Sequence, residues 1–148
     1  MMTVFRDNLD IKMKKVLFVC TGNTCRSPMA EAIFNSLAPA EYTSHSAGIS
    51  CSDGKPVSEN SVIALSEIGI VTDHSSVMVN FPLLEQYDMI IGITENHARA
   101  LISAFPELKD RIYAFPCDVG DPYGQNLDAY RKCRDTIYQG IKEIIENL

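Results

Sequence analysis

Cys20 and Arg26, separated by the five residues Thr21-Gly22-Asn23-Thr24-Cys25, are the pair in this sequence best suited to chemistry. A thiolate is a nucleophile, and a guanidinium is a planar fork that matches two oxygens of a phosphate-like anion. Backbone N–H groups of the intervening stretch can converge on that same anion, helped by the positive end of a helix dipole where a helix follows. Those dipoles and the Arg26 cation favour the sulfur anion at Cys20. Gly22 and Asn23 are residue types that tolerate left-handed backbone, which such convergence requires. A thiolate attacking phosphorus also needs a proton donor for the leaving atom. Asp121, stiffened toward extended backbone by Pro122, is the candidate, and Asp118 is its rival three residues earlier.

These residues need elements to position them. The apolar run Val16-Leu17-Phe18-Val19 stops at Cys20 and reads as a strand. Ser27-Pro28 suits a cap and first helical position, and Met29, Ala30, Ile33, Phe34 and Leu37 recur at helical spacing. Residues 42–48 read as a second strand, 57–68 as a helix ended by Gly69, and 82–86 as one short helical turn. Residues 88–94 form a near-continuous apolar run, the mark of a strand covered on both faces. A helix is expected over 95–105, capped by Thr94 and stopped by Pro106, then a short strand over 111–115. Residues 116–126 form a loop. A long terminal helix carries the apolar stripe Leu127, Tyr130, Ile137, Ile141, Ile144 and Leu148. Alternating strands and helices imply an α/β fold: a three-layer sandwich with a central four-stranded parallel sheet. Ligands in such folds sit outside the carboxyl ends of the strands, where the Cys20 loop falls.

Composition narrows the partners. The 148 residues, 46% of them hydrophobic, fit one domain over 14–148 preceded by an extension over 1–13. A net charge of −6 without a basic stripe argues against nucleic acid, and no apolar run is long enough to span a membrane. The first ten residues lack the apolar core of a signal peptide, so a cytoplasmic location is expected. Five cysteines, an odd number, point to thiols rather than a disulfide framework. His45, His74 and His97 lie far from zinc-type spacing, and no metal site is expected.

The run Cys20 to Ser27, a C-x5-R-S loop continued by Pro28-Met29-Ala30-Glu31-Ala32, resembles the phosphate-binding loop of the low-molecular-weight protein tyrosine phosphatase family, over roughly residues 14 to 148. The resemblance implies that Cys20 is the nucleophile, that Arg26 and the N–H groups of Thr21 to Ser27 bind phosphate, and that Asp121 is the general acid. It implies that Asn23, Ser46 and His74 hold the strained loop and that the Ser27 hydroxyl stabilises the thiolate. A reversible bond between Cys20 and Cys25 is also implied, against the plainer reading of Cys25 as a small side chain filling the back of the loop. The expected reaction is hydrolysis of phosphorylated protein or peptide side chains, phosphotyrosine in the main, through a phosphocysteine, with inorganic phosphate released and no cofactor.

Three departures bear on the substrate. Thr24 stands where tyrosine-directed members carry a larger aliphatic residue, Gly124 follows Tyr123 in place of a second aromatic, and Ile93-Thr94 replaces a common Met-Asp pair. Thr24 and Gly124 are similar to the bacterial protein-arginine phosphatases of the same family. A small polar wall suits a guanidinium and an apolar one a phenyl ring, with Tyr123 as one aromatic side. Remoter readings are an arsenate reductase, for which Cys51, Cys117 and Cys133 lack close pairing, a phosphocarrier subunit of a sugar-uptake system, which must preserve the phosphocysteine that Asp121 would help hydrolyse, and a non-catalytic phosphopeptide-binding module.

Overall fold

Successive side chains of the first strand, β1 (Lys14–Cys20), divide between two cores. Val16, Phe18 and Cys20 enter one hydrophobic cluster and Leu17 and Val19 another, all of them buried. A strand apolar on both faces must lie inside a sheet covered on both sides. The computed structural model, which describes residues 13–148, shows this arrangement; the expected extension over residues 1–13 lies outside the described residues save for Met13. The sheet is parallel, in the order β2-β1-β3-β4, with β2 (Tyr42–Gly48), β3 (Met89–Gly92) and β4 (Ile112–Ala114).

On one face lie α1 (Arg26–Leu37), α2 (Glu59–Ser66) and the long α5 (Leu127–Glu146). Their Met29, Ile33, Phe34, Leu65, Ile137 and Ile141 close over Phe18. Phe18 and Phe34 meet edge-on, centroids 5.7 Å apart, and each fully buried ring contributes about 2 to 3 kcal/mol by removal from water. The other face is covered by the short α3 (Phe81–Leu84) and by α4 (Glu95–Ala104), through Leu84, Ala98 and Leu101. Gly92 lets α4 sit tight on β3: a Cβ there would lie 2.5 Å from the Ala98 backbone nitrogen.

The element boundaries differ from the sequence reading for identifiable reasons. Helix α1 begins at Arg26 with Cys25 at the cap position, not at Pro28 with Ser27 as cap, because the Ser27 hydroxyl is engaged inside the loop. Helix α2 begins after Ser58, whose side chain accepts from the Ser61 N–H, so Val57 packs outside it. The chain leaves α2 before Ile68 and turns through Gly69 at φ +78. Strand β3 stops at Gly92 because Thr94 turns the chain to cap α4, and Pro106 starts a 3-10 helix, Pro106–Arg111, that shortens β4. On α5, Cys133 and Gly140 join the buried stripe while Leu148 is exposed; Gly140 makes room for the Phe115 ring.

Candidate active site

Between the end of β1 and the start of α1, the loop from Thr21 to Cys25 bends round a cavity of about 300 Å3 whose lining includes Cys20, Thr24, Arg26, Cys51, Lys55, Asp121 and Tyr123. Of the two residues whose types tolerate left-handed backbone, Asn23 is the one that adopts it, at φ 55, and Gly22 does not. A Cβ at Gly22 would stand 3.8 Å from Thr24 Oγ1, so the fold itself tolerates one there. The Asn23 conformation is unfavourable by about 1 kcal/mol and must be held by its surroundings.

It is held by a buried network. The Asn23 amide nitrogen donates to Ser27 Oγ at 2.8 Å and to Ser46 Oγ at 3.0 Å. Its amide oxygen accepts from the Val77 N–H at 2.9 Å and from His74 Nε2 at 2.8 Å. Ser46 Oγ in turn donates to Glu31 Oε1 at 2.7 Å, and His74 Nδ1 lies 3.4 Å from the same carboxyl oxygen. Burial pushes the Glu31 carboxyl up and the His74 imidazole down. Ser27 Oγ, accepting from Asn23, has its own proton left for Cys20 Sγ, 2.9 Å away. Gly48 is required at the end of β2, where a Cβ would come within 2.7 Å of both the Thr21 carbonyl and the Cys51 sulfur.

The cation arrives from the first turn of α1. Arg26 is 7% exposed; Nη1 donates to the Val119 carbonyl at 3.2 Å and Nη2 lies 3.5 Å from Asp121 Oδ2. Asp121 stands at the mouth, its side chain 55% exposed, with Oδ1 accepting from the Tyr123 N–H at 3.1 Å. Of the two loop carboxylates weighed on sequence, Asp121 lines the cavity and Asp118 does not. Tyr123 is 76% exposed beside it. The cavity thus brings together a thiol, a guanidinium and a carboxyl, the groups that attack on phosphorus, oxyanion binding and proton delivery require.

Cys25 turns to the back of the loop. Its sulfur lies 3.5 Å from Ser58 Oγ and 3.5 Å from the Tyr130 hydroxyl, in a small cluster with Ala64. Cys20 and Cys25 are both free thiols here. Burial and the Cys25 sulfur push the Tyr130 phenol up to about 12. On sequence Tyr130 was only a member of an apolar stripe, and nothing local marks its contact with the loop. Glu31 and His97 are equally silent in the sequence. Glu31 sits among helix residues, and His97 at the third position after Thr94 shows only a capping signal; yet His97 Nε2 lies 2.9 Å from Thr21 Oγ1.

The low molecular weight phosphotyrosine protein phosphatase model matches residues 15–148. The protein-arginine-phosphatase of Bacillus subtilis is 34% identical over 143 residues, covering 90% of this chain and 95% of that protein. An arsenate reductase of Bacillus cereus is 30% identical over 134 residues, covering 90% and 95%. Among solved structures, the low molecular weight protein tyrosine phosphatase of T. tengcongensis superposes with a TM-score of 0.86 at 38% identity, covering 91% of this chain and 99% of that one.

Proposed function

The chain belongs to the low molecular weight phosphotyrosine protein phosphatase family, whose members it matches as a cysteine-dependent phosphatase, and we propose that its substrates are proteins phosphorylated on arginine. The observation that carries this reading is Thr24. It gives the cavity wall a small side chain with an oxygen, whose polar neighbour is the Cys25 sulfur at 3.9 Å, a contact too weak to occupy it. That oxygen suits the N–H edge of a guanidinium, as does the Asp121 carboxylate, which already faces the guanidinium of Arg26.

In the proposed cycle the phosphoryl oxygens settle among the loop N–H groups and on Arg26, displacing Asp121 from the guanidinium. Released from Arg26, Asp121 takes up a proton from solvent; the Cys20 thiolate then attacks phosphorus in line, the phosphorus–nitrogen bond breaks, and Asp121 delivers that proton to the departing nitrogen. Ser27 and Asn23 hold the sulfur and the loop backbone through this step. Asp121, now a base, takes a proton from water as it attacks the phosphocysteine; the sulfur–phosphorus bond breaks, and inorganic phosphate leaves.

Phosphotyrosine is the second reading, favoured by the exposed Tyr123 ring at the mouth, which offers a face to a phenyl group. Arsenate reduction is less well supported: burial pushes the thiols of Cys51 and Cys117 up and that of Cys133 up to about 12, the opposite of what a thiolate relay needs. Phosphate release from phosphoarginine and phosphotyrosine peptides of matched sequence tests the assignment. The expected result is a higher kcat/KM for phosphoarginine, with Thr24→Val lowering that ratio about tenfold by removing the oxygen at constant volume. A wild-type preference for phosphotyrosine, unaltered by Thr24→Val, gives the place to the second reading.

A further inference from the structure

On the side of the loop away from Asn23, Thr21 and Arg26 form a shared wall between the reaction cavity and a groove that holds Thr94 and His97. His97 is 8% exposed, and its ring is fixed at both nitrogens. The Thr94 N–H donates to Nδ1 at 3.2 Å, while Thr94 Oγ1 accepts from the His97 N–H at 3.2 Å, a reciprocal cap at the start of α4. Burial and the neighbouring Arg26 guanidinium hold the imidazole down to about 4, so near neutral pH the ring has a single proton. The Thr94 hydroxyl also lies 3.0 Å from Nδ1, but the backbone N–H of Thr94 can only donate, so Nδ1 is read as the acceptor; the ring proton is then on Nε2, and Nε2–H donates to Thr21 Oγ1, 2.9 Å away. A hydroxyl that accepts from histidine keeps its own proton for another oxygen, and among the described residues Thr21 Oγ1 has no second partner. Thr21 is exposed and lines the cavity beside Cys20 and Arg26.

We propose that His97 is a positioning residue for the phosphatase reaction: it holds Thr21 Oγ1 so that the Thr21 hydroxyl donates to an oxygen of the bound phosphoryl group. This rests on the phosphatase reading above and holds for either leaving group, because the contact is to the phosphoryl oxygen common to both. The positive environment is then completed by a neutral donor on the flank of the loop opposite the Asn23 network.

Two amide replacements separate this role from helix capping. An asparagine at position 97 reaches only as far as Nδ1, and can keep the Thr94 bond while losing Thr21; a glutamine reaches as far as Nε2, and can keep Thr21 while losing Thr94. Steady-state kinetics on a generic aryl phosphate, with inhibition by inorganic phosphate, should show KM and Ki rising about tenfold in Thr21→Val and His97→Asn, with kcat changing much less. His97→Gln should recover most of the loss, and the Thr21→Val/His97→Asn pair should be no worse than Thr21→Val alone. Wild-type Ki in Thr21→Val, wild-type Ki in His97→Asn, equal impairment in His97→Gln and His97→Asn, or additive losses in the pair each overturn the proposal. Should His97→Asn fold poorly, Thr21→Val and His97→Gln decide between them: the first must raise Ki and the second must not. A wild-type protein that releases no phosphate from any phosphorylated substrate sinks the phosphatase reading instead, a result these variants cannot imitate.

Discussion

Two carboxylates flank the loop from Thr21 to Cys25, and they live in opposite conditions. Glu31 lies behind it, in the first helix, largely removed from water, bonded to Ser46 and close to His74, with its carboxyl pushed up by burial. Asp121 lies in front, 55% exposed, on a turn held by bonds from the Tyr123 N–H to its carboxylate and from the Gln125 amide to its carbonyl. The rear region spends its polar groups on one another and fixes geometry. The front region leaves a carboxylate free to exchange partners and protons. A phosphate cradle has to be rigid before the substrate arrives, whereas a proton donor has to reach whichever atom leaves.

The contrast predicts a separation of effects. Asp121→Asn should reduce kcat by about 10^2 to 10^4 while leaving unfolding free energy within about 0.5 kcal/mol of the parent, as judged by denaturant titration. A loss of stability comparable to that of rear-network variants would erase the distinction. Asn23→Ala should do the reverse in balance. It removes four hydrogen bonds, two of them buried and two partly buried, and the side chain that tolerates φ 55, so a destabilisation of about 2 to 3 kcal/mol should accompany weakened phosphate inhibition.

The histidines sharpen the contrast through pH. His97 is held at about 4 in the fold against 6.5 in the unfolded chain, and His74 is lowered too. The unfolded state therefore binds more protons between those values, and stability present above pH 6.5 is lost as pH falls toward 4. His97→Gln should remove up to about 3 kcal/mol of that loss, leaving the smaller share due to His74. Glu31 runs the other way. Its folded-state proton affinity is raised, so its contribution fades as pH rises past its unfolded value of 4.5, and Glu31→Gln should gain relative stability above that pH. Chemical denaturation at a series of pH values reads both, and flat profiles for both variants would remove the electrostatic part of the comparison.

What the sequence disclosed follows the same division. The spacing of Cys20 and Arg26, the strand before them and the helix after them are local, and so were legible; the near-continuous apolar runs at 16–19 and 88–94 also announced a sheet covered on both faces. Ser27 shows how a local signal misleads, since the hydroxyl that suits a helix cap is here bonded to Asn23 and Cys20. Tyr130 and His97 could not be assigned because their meaning lies in partners 105 and 76 residues away. A tyrosine on an apolar stripe and a histidine at a helix start look alike whether or not their polar ends reach an active site. The start of α4 with Thr94 as its cap was legible, whereas the start of α2 moved because Ser58 caps it and leaves Val57 outside.

The central claim is that Cys20 becomes the phosphorylated atom. Acid quench of the protein during turnover of an aryl phosphate, followed by phosphorus NMR and peptide mapping, should place a phosphorus–sulfur bond on Cys20, with Cys20→Ser losing turnover by a factor on the order of 10^4 or more. Phosphate found on another residue, or undiminished turnover in Cys20→Ser, would contradict the account.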